Sequence, residues 1–271
     1  MQPPKDTARH RAHMPEGASG ILNARSLATA HRRLAELLQP GLTVLDIGCG
    51  TGAITRGIAE AVAPGGRAVG VDLHAGLIEE ARRLHSNVPG LSFETADVYN
   101  LPFHNLFDIV TAARVLQWLA NPLAALRKAV AAAKPGGKVV ILEYNHEKIA
   151  WQPAPPLSMR EFYAAFLRWR AEAGMDNAIA DHLAEMFAQA RLTDILVTPQ
   201  HEVTRRNDPD FATRIGIWAE VAASRGHQMV ADSIISEDLR AAAETDYRNW
   251  IGNSAESQTM YLLAVEGVRP V

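Results

Sequence analysis

Val44-Leu45-Asp46-Ile47-Gly48-Cys49-Gly50-Thr51-Gly52 reads as a short buried strand that runs into a glycine turn. A helix from about Ala53 to Ala63 follows it. Val44, Leu45 and Ile47 supply the apolar, partly β-branched run of a strand covered on both faces. Three glycines at alternate positions remove the side chains that would block a ligand lying across the strand's carboxyl end. In open α/β sheets that crevice, beside a helix N-terminus, is where nucleotide-like cofactors bind.

Formally, Gly48-x-Gly50-x-x-Ala53 fits a loose dinucleotide fingerprint, and Asp72 follows at about the spacing of a ribose-binding acid. Asp46 opposes that reading, because a carboxylate two residues before the first glycine would repel a pyrophosphate. Beside a cofactor carrying an ammonium and a sulfonium, the same charge attracts. On these residues, Asp46 to Gly52 resembles motif I of the class I S-adenosylmethionine (SAM)-dependent methyltransferases.

Further stretches resemble the family in the right order. Asp72-Leu73 is similar to its acidic second motif, whose carboxylate accepts both ribose hydroxyls, with Leu73 where an adenine rests. Asp97-Val98 resembles the adenine-recognition position: a side-chain acceptor for the exocyclic amine and a backbone N–H for the ring. The structural alternative for Asp97 is a helix-cap or turn aspartate. Leu116-Gln117-Trp118 resembles the trans-aconitate and malonyl-carrier-protein carboxyl methyltransferases, although those relatives commonly carry Asn where this chain has Ala113. A backbone contact at Ala113 survives that change. Lys134-Pro135-Gly136-Gly137 before a hydrophobic strand also resembles the family.

The resemblance covers about residues 40–144 and, more weakly, the last strand. The branch it points to is ubiquinone/menaquinone-methyltransferase-like or trans-aconitate-methyltransferase-like. It implies SAM as cofactor and S-adenosylhomocysteine as product. It also implies Asp46, Gly48, Cys49, Gly50, Gly52, Asp72, Leu73, Asp97, Val98 and Ala113 as cofactor contacts. A leading segment closes over the cofactor in related enzymes, which makes Arg25 the candidate partner of the methionine carboxylate. An exposed surface arginine is the alternative.

The chain has 271 residues, of which 48% are hydrophobic, enough for a sizeable core. No apolar run approaches the roughly 20 residues of a membrane span. The first residues are polar and proline-containing, so the expectation is a cytoplasmic protein without a membrane partner. The single cysteine excludes an internal disulfide and a cysteine-based metal cluster. A net charge of −3 leaves no global footprint for nucleic acid. Residues 1–40 do carry six Lys/Arg against three acids, which reads as a solvated face.

Strands alternate with helices from residue 41 to 145, and each break is marked by glycine or proline. The expected fold is α/β: a Rossmann-like, doubly wound, seven-stranded sheet with an antiparallel last strand and helical cap insertions. Residues 1–40 form an arm, expected to be mobile over 1–20 and helical over Ser26–Leu38, that closes on the cofactor. Residues 41–145 form the cofactor core. Residues 146–192 are a substrate cap, with Ser158 capping a helix from Met159 to about Ala173. Strand six is expected over Ile195–Val203 and the final strand over Thr259–Val265, so 193–206 and 255–271 complete the core. Residues 207–254 are a helical insertion that serves as a substrate lid.

Methyl transfer from a sulfonium is an in-line displacement, so the protein's main task is to hold donor and acceptor in near-attack geometry. A hydroxyl, amine or carbon acceptor often needs a base as well. His146 is the candidate, with Glu143 and Tyr144 nearby; a surface-loop histidine is the bland alternative. Arg114 is the candidate to orient an anionic acceptor by bidentate hydrogen bonds, against a plain surface arginine. Gln117 and Trp118 read as packing, and Cys49 as no nucleophile. No H-x-x-x-H cluster marks a metal site. The expected activity is methylation of a small molecule at O, N or C, on a phenol, quinol or carboxylate. The alternatives are a tRNA, rRNA or protein methyltransferase and a non-catalytic SAM-binding module.

Overall fold

The computed structural model describes residues 4–13, 23 and 25–271. Strand β1 (Thr43–Ile47) lies inside the sheet between β2 (Arg67–Asp72) and β4 (Phe107–Ala113), parallel to both. With β3 (Leu91–Thr95), β5 (Ala133–Tyr144), β7 (Thr193–Pro199) and β10 (Leu262–Val268), the seven-stranded order is β3-β2-β1-β4-β5-β10-β7. Strand β10 is antiparallel to both of its neighbours, β5 and β7. The strand order reverses between β1 and β4, which opens a crevice above their carboxyl ends.

Alternation along the strands sends neighbouring side chains to opposite faces of the sheet. Val44, Ile109 and Val140 meet Ile58 and Val62 of the helix Ala53–Val62, together with Leu34. Leu45, Val110 and Ile141 meet Leu126 of the helix Pro122–Ala132 and Leu183 and Phe187 of the helix Ile179–Gln189. A third core lies at one end of the sheet. Helix Leu157–Glu172 buries Met159, Phe162, Phe166 and Trp169 there against Trp218, Tyr247 and Trp250, with Leu142, Leu262 and Ala264 beneath. Each such large side chain contributes about 1.5–3 kcal/mol of burial. Residues 207–254 are helical, as expected, over Phe211–Ile215, Ile217–Ala223, Arg225–Ala231 and Glu237–Asn253. They share a core with the sheet.

Several local expectations are corrected. The helix expected over Ser26–Leu38 is two short ones, Leu27–Ala30 and Arg32–Leu37. They break at His31 (φ −151°, ψ 63°), whose buried ring reaches Thr111 of β4, Nε2 to Oγ1 at 3.1 Å. Residues 1–20 include a helix, Pro4–Ala12, docked on the cap; residues 14–20 lie outside the described residues. Ser158 is not the cap of its helix, which starts after Pro156; its hydroxyl donates to Asp246 instead (2.7 Å).

The strand expected over Ile195–Val203 ends at Pro199, which has no N–H to continue the ladder. The chain then leaves the sheet as β8 (Glu202–Arg205), which pairs with β9 (Ser257–Met260); β9 also pairs with β6 (Ala150–Gln152). The final strand is divided in the same way between this small sheet and β10.

Candidate functional site

Gly48, Gly50 and Gly52 all take left-handed backbone conformations, with φ of 69°, 56° and 80°. Their lack of side chains serves the protein's own packing as well as any ligand. A Cβ on Gly48 would lie 2.4 Å from Cγ2 of Val115, and one on Gly52 would lie 2.4 Å from Cζ of Phe93. The glycine turn is thus pressed between the loop after β4 and the side of β3.

A cleft of about 350 Å³, counting its open mouth, lies on this turn. It is lined by Arg25, Asp46, Gly48, Cys49, Gly50 and Ala113, together with Ala53 and Ile54 from the following helix. Asp46 is buried, and Thr55 donates to its Oδ2 at 2.6 Å. Burial pushes its carboxyl up to about 7, helped by the Asp72 charge and opposed by the Thr55 bond. On the opposite sign, Arg25 is pulled down by burial and by the Arg114 charge. Burial likewise holds the Cys49 thiol well above its ordinary range, which fits the expectation that it is no nucleophile.

Asp72 ends β2 and braces the turn from behind. Its Oδ2 accepts from Gly50 N–H (3.0 Å) and its Oδ1 from His74 N–H (2.9 Å), so each oxygen keeps a further lone pair. Leu73 beside it is 44% exposed, an apolar surface next to the acid. Asp97 caps the short turn Val98–Asn100 by accepting from Tyr99 N–H (2.9 Å), while Arg9 Nη1 stands 3.9 Å from its other oxygen. Asp97 and Val98 are not among the residues that line the cleft, and Gly52 forms the start of the helix beneath it.

Neither catalytic candidate lies at the surface. Arg114 is neither a surface residue nor free to clamp an acceptor. It is buried at φ +64°, with Nε donating to Tyr144 Oη (2.8 Å), Nη1 to Ala30 O (3.2 Å) and Nη2 to Glu202. Burial alone would lower its affinity for a proton; Tyr144 and Glu202 outweigh burial and raise it. His146 is likewise no surface-loop residue. It is buried among the rings of Tyr144, Phe166 and Trp218, and its Nε2 lies 2.6 Å from Gln117 Oε1. Burial first, and then the Arg170 charge, hold it well below the usual imidazole range.

Glu143, Gln117, Arg170 and Glu202 complete this region. Glu143 is fully buried at the end of β5, and its Oε1 accepts from Val115 N–H (2.8 Å) and Leu116 N–H (2.6 Å). Burial pushes its carboxyl to about 8 against those backbone donors. Arg170 donates Nε to Asn177 (2.8 Å) and Nη2 to the Gln117 carbonyl (2.9 Å), and its guanidinium stacks on Trp118 at 4.5 Å. Gln117 was legible in sequence only as packing, and Glu202 and Arg170 not at all. Arg170 sits on the buried side of its helix near Phe166 and Trp169, and a charge on such an apolar stripe is the one signal that marks it.

A family model described as a methyltransferase domain matches residues 38–197, more than half of the chain. The chain is 28% identical over 183 residues to the demethylmenaquinone methyltransferase of Anoxybacillus flavithermus, covering 60% of this chain and 74% of that protein. It is 36% identical over 118 residues to the ubiquinone/menaquinone biosynthesis C-methyltransferase of Burkholderia vietnamiensis, covering 43% of this chain and 47% of that protein. It superposes on phosphoethanolamine N-methyltransferase 2 of Haemonchus contortus, solved with phosphomonomethylethanolamine and S-adenosylhomocysteine. That match has a TM-score of 0.56 and 20% identity over 95% of this chain and 54% of that one, a likeness of fold. The chain therefore spans about half the length of the last two.

Proposed function

The chain belongs to the methyltransferase-domain family and is a SAM-dependent methyltransferase, and from that premise we propose that it methylates a small phenol or quinol. The observation that carries the cofactor half of this reading is the pairing of Asp46 and Arg25 in one glycine-floored cleft. A carboxylate and a guanidinium on the walls of one cleft match the ammonium and carboxylate of an amino-acid zwitterion. In this reading Asp46 holds the ammonium, Arg25 the carboxylate, Asp72 the ribose hydroxyls, and Leu73 with Asp97 and Val98 the adenine. Gly48, Cys49, Gly50, Gly52 and Ala113 supply backbone at close approach.

SAM supplies an electrophilic methyl group, and this chain's residues position the acceptor and take its proton. His146 is the proposed base: burial keeps the imidazole neutral, so a lone pair is available at ordinary pH. The rings of Phe166, Trp218 and Tyr144 around it suit a flat aromatic acceptor. The acceptor class comes from the quinone-pathway names of the two relatives above. Residues 1–40, 146–192 and 207–254 are assigned to closing over cofactor and acceptor, on the core of 41–145, 193–206 and 255–271. The net charge of −3 favours a small acceptor over nucleic acid.

Titration calorimetry with SAM, S-adenosylhomocysteine and NAD tests the cofactor assignment. Transfer of labelled methyl from SAM to 1,4-dihydroxynaphthalene tests the acceptor. Binding of the first two ligands and of no NAD, with label appearing on the ring or its oxygen, is expected. NAD binding would remove the argument from Asp46.

A further inference from the structure

Gln117 lies in a short turn, Leu116–Trp118, that follows β4, and it is buried. Its side-chain Nε2 donates to the Arg114 carbonyl (3.2 Å), which fixes which end of the amide is nitrogen. Its Oε1 therefore faces His146 Nε2 at 2.6 Å as an acceptor, and the imidazole must donate there. The proton of the neutral ring is then on Nε2, and the lone pair is on Nδ1. Nδ1 is buried with no hydrogen-bond partner among the described residues. We propose that Gln117 is the positioning residue that locks His146 as its Nε2–H tautomer and leaves Nδ1 as the proton acceptor in methyl transfer.

The surroundings hold both members of the pair in place. Arg170 grips the Gln117 carbonyl, Glu143 grips the backbone of Val115 and Leu116, and the Asn177 carbonyl accepts from His146 N–H (2.8 Å). Tyr163 donates to the His146 carbonyl at 2.5 Å. The charged and titratable groups around His146 are Arg170 and Tyr163 from one helix, Tyr144 and Glu143 from β5, and Glu147 next in the chain. Arg170 is the cation among them, and its charge disfavours a second proton on the ring. The role is the one a carboxylate plays behind a catalytic histidine, performed by an amide that orients without adding charge. In the step itself the acceptor O–H bond breaks, its proton goes to Nδ1, and its electron pair is left to drive the new bond to the methyl carbon. The carbon–sulfur pair stays on sulfur.

This inference rests on the methyltransferase reading, and the experiment separates the two. Protein with ¹⁵N-labelled histidine is saturated with S-adenosylhomocysteine, and long-range ¹H–¹⁵N spectra are recorded from pH 5.5 to 9 for wild type, Gln117→Leu and Gln117→Glu. His146→Asn assigns the signal. Expected is a protonated Nε2 and a bare Nδ1 in wild type, and a mixture of tautomers in Gln117→Leu. In Gln117→Glu the added charge should raise the ring's titration by about one pH unit or more. With 1,4-dihydroxynaphthalene as acceptor, Gln117→Leu should lower kcat at least about tenfold with KM little changed. Gln117→Glu should move the acid limb of the pH profile up with the ring. A wild-type ring protonated on Nδ1 overturns the proposal while leaving the methyltransferase reading intact, and so does a Gln117→Leu protein with unaltered tautomer and kcat. Failure of S-adenosylhomocysteine to bind the wild type overturns both.

Discussion

Thr55 donates a 2.6 Å hydrogen bond to Asp46, and the other charge acting on that carboxylate is the negative one of Asp72. A buried acid so placed holds its proton up to about pH 7, where an ordinary aspartate has lost it. A bound ammonium requires the charged form. Below about pH 7, SAM binding should therefore release a proton and weaken by up to about tenfold per pH unit. Calorimetry at acid and alkaline pH in buffers of different ionisation heat reads both effects. The stability sign is opposite. The folded-state value lies above the unfolded 3.8, so Asp46 costs stability increasingly as pH rises from there to about 7, and the cost is constant above that. Asp46→Asn keeps an acceptor for Thr55 and should stabilise the protein at pH 8 by no more than roughly 4 kcal/mol, read as a higher Tm, while losing SAM. An unchanged Tm together with pH-independent binding would show a carboxylate that is charged throughout.

Asp72 acts on the glycine turn before any cofactor arrives, through its bonds from the Gly50 and His74 amides. Asp72→Ala should lower stability by about 1–3 kcal/mol, the cost of orphaning those donors, and weaken SAM at least tenfold. Asp72→Asn keeps one acceptor and should separate the two effects, with Tm largely restored and affinity still low. Wild-type affinity in Asp72→Ala would withdraw the ribose assignment.

Arg114 and Glu202 form a pair in which the arginine is buried and the glutamate partly so. Removing one partner of a buried pair costs about 3–5 kcal/mol, because the other is left uncompensated. Glu202→Gln should therefore destabilise the protein, and Arg114→Met/Glu202→Gln should be less damaged than the sum of the single changes. A chemical-denaturation double-mutant cycle with no coupling would return Arg114 to the role of an acceptor clamp.

The sheet from β1 to β5 was legible because each strand is a local apolar run closed by glycine or proline, and the acids at the strand ends follow from that placement. The glycine turn and Asp46 of the cleft were legible from their own residue types, and Ala113 through the family resemblance. Arg25 was legible only through family resemblance, since its approach to Asp46 depends on how the arm folds back. His31 shows what local pattern cannot carry: its helix periodicity is intact, yet a contact with Thr111, 80 residues away, breaks the helix. The small β6-β9-β8 sheet depends on pairings such as Trp151 with Gln258, and no periodicity announces those. Arg114 misled for the same reason, because the Glu202 that occupies it lies 88 residues further on.

Arg225 gives the last prediction, on the N-terminal helix. Its guanidinium lies 4.0 Å over the Trp118 ring and donates to the carbonyls of Arg11 (2.7 Å), Ala12 and His13 (3.4 Å each), where the helix Pro4–Ala12 ends. A cation on the terminal carbonyls is favourable for the helix dipole as well as for the hydrogen bonds. A second tie runs from Arg11 to Asp232, Nε to Oδ2 at 3.1 Å. Both ties reach residues between 207 and 254, beside a bond from Arg11 to the Trp169 carbonyl and the packing of Ala8 on Ala173 and Met175, so this helix is anchored to the insertion and the cap together. Arg225→Met keeps an apolar stem over Trp118 and removes only the donors. Amides of residues 4–12 should then exchange with solvent markedly faster, while those of β1, β4 and β5 keep their wild-type protection. Uniform loss of protection across the sheet would mean that Arg225 supports the cap core itself and not the docking of the helix.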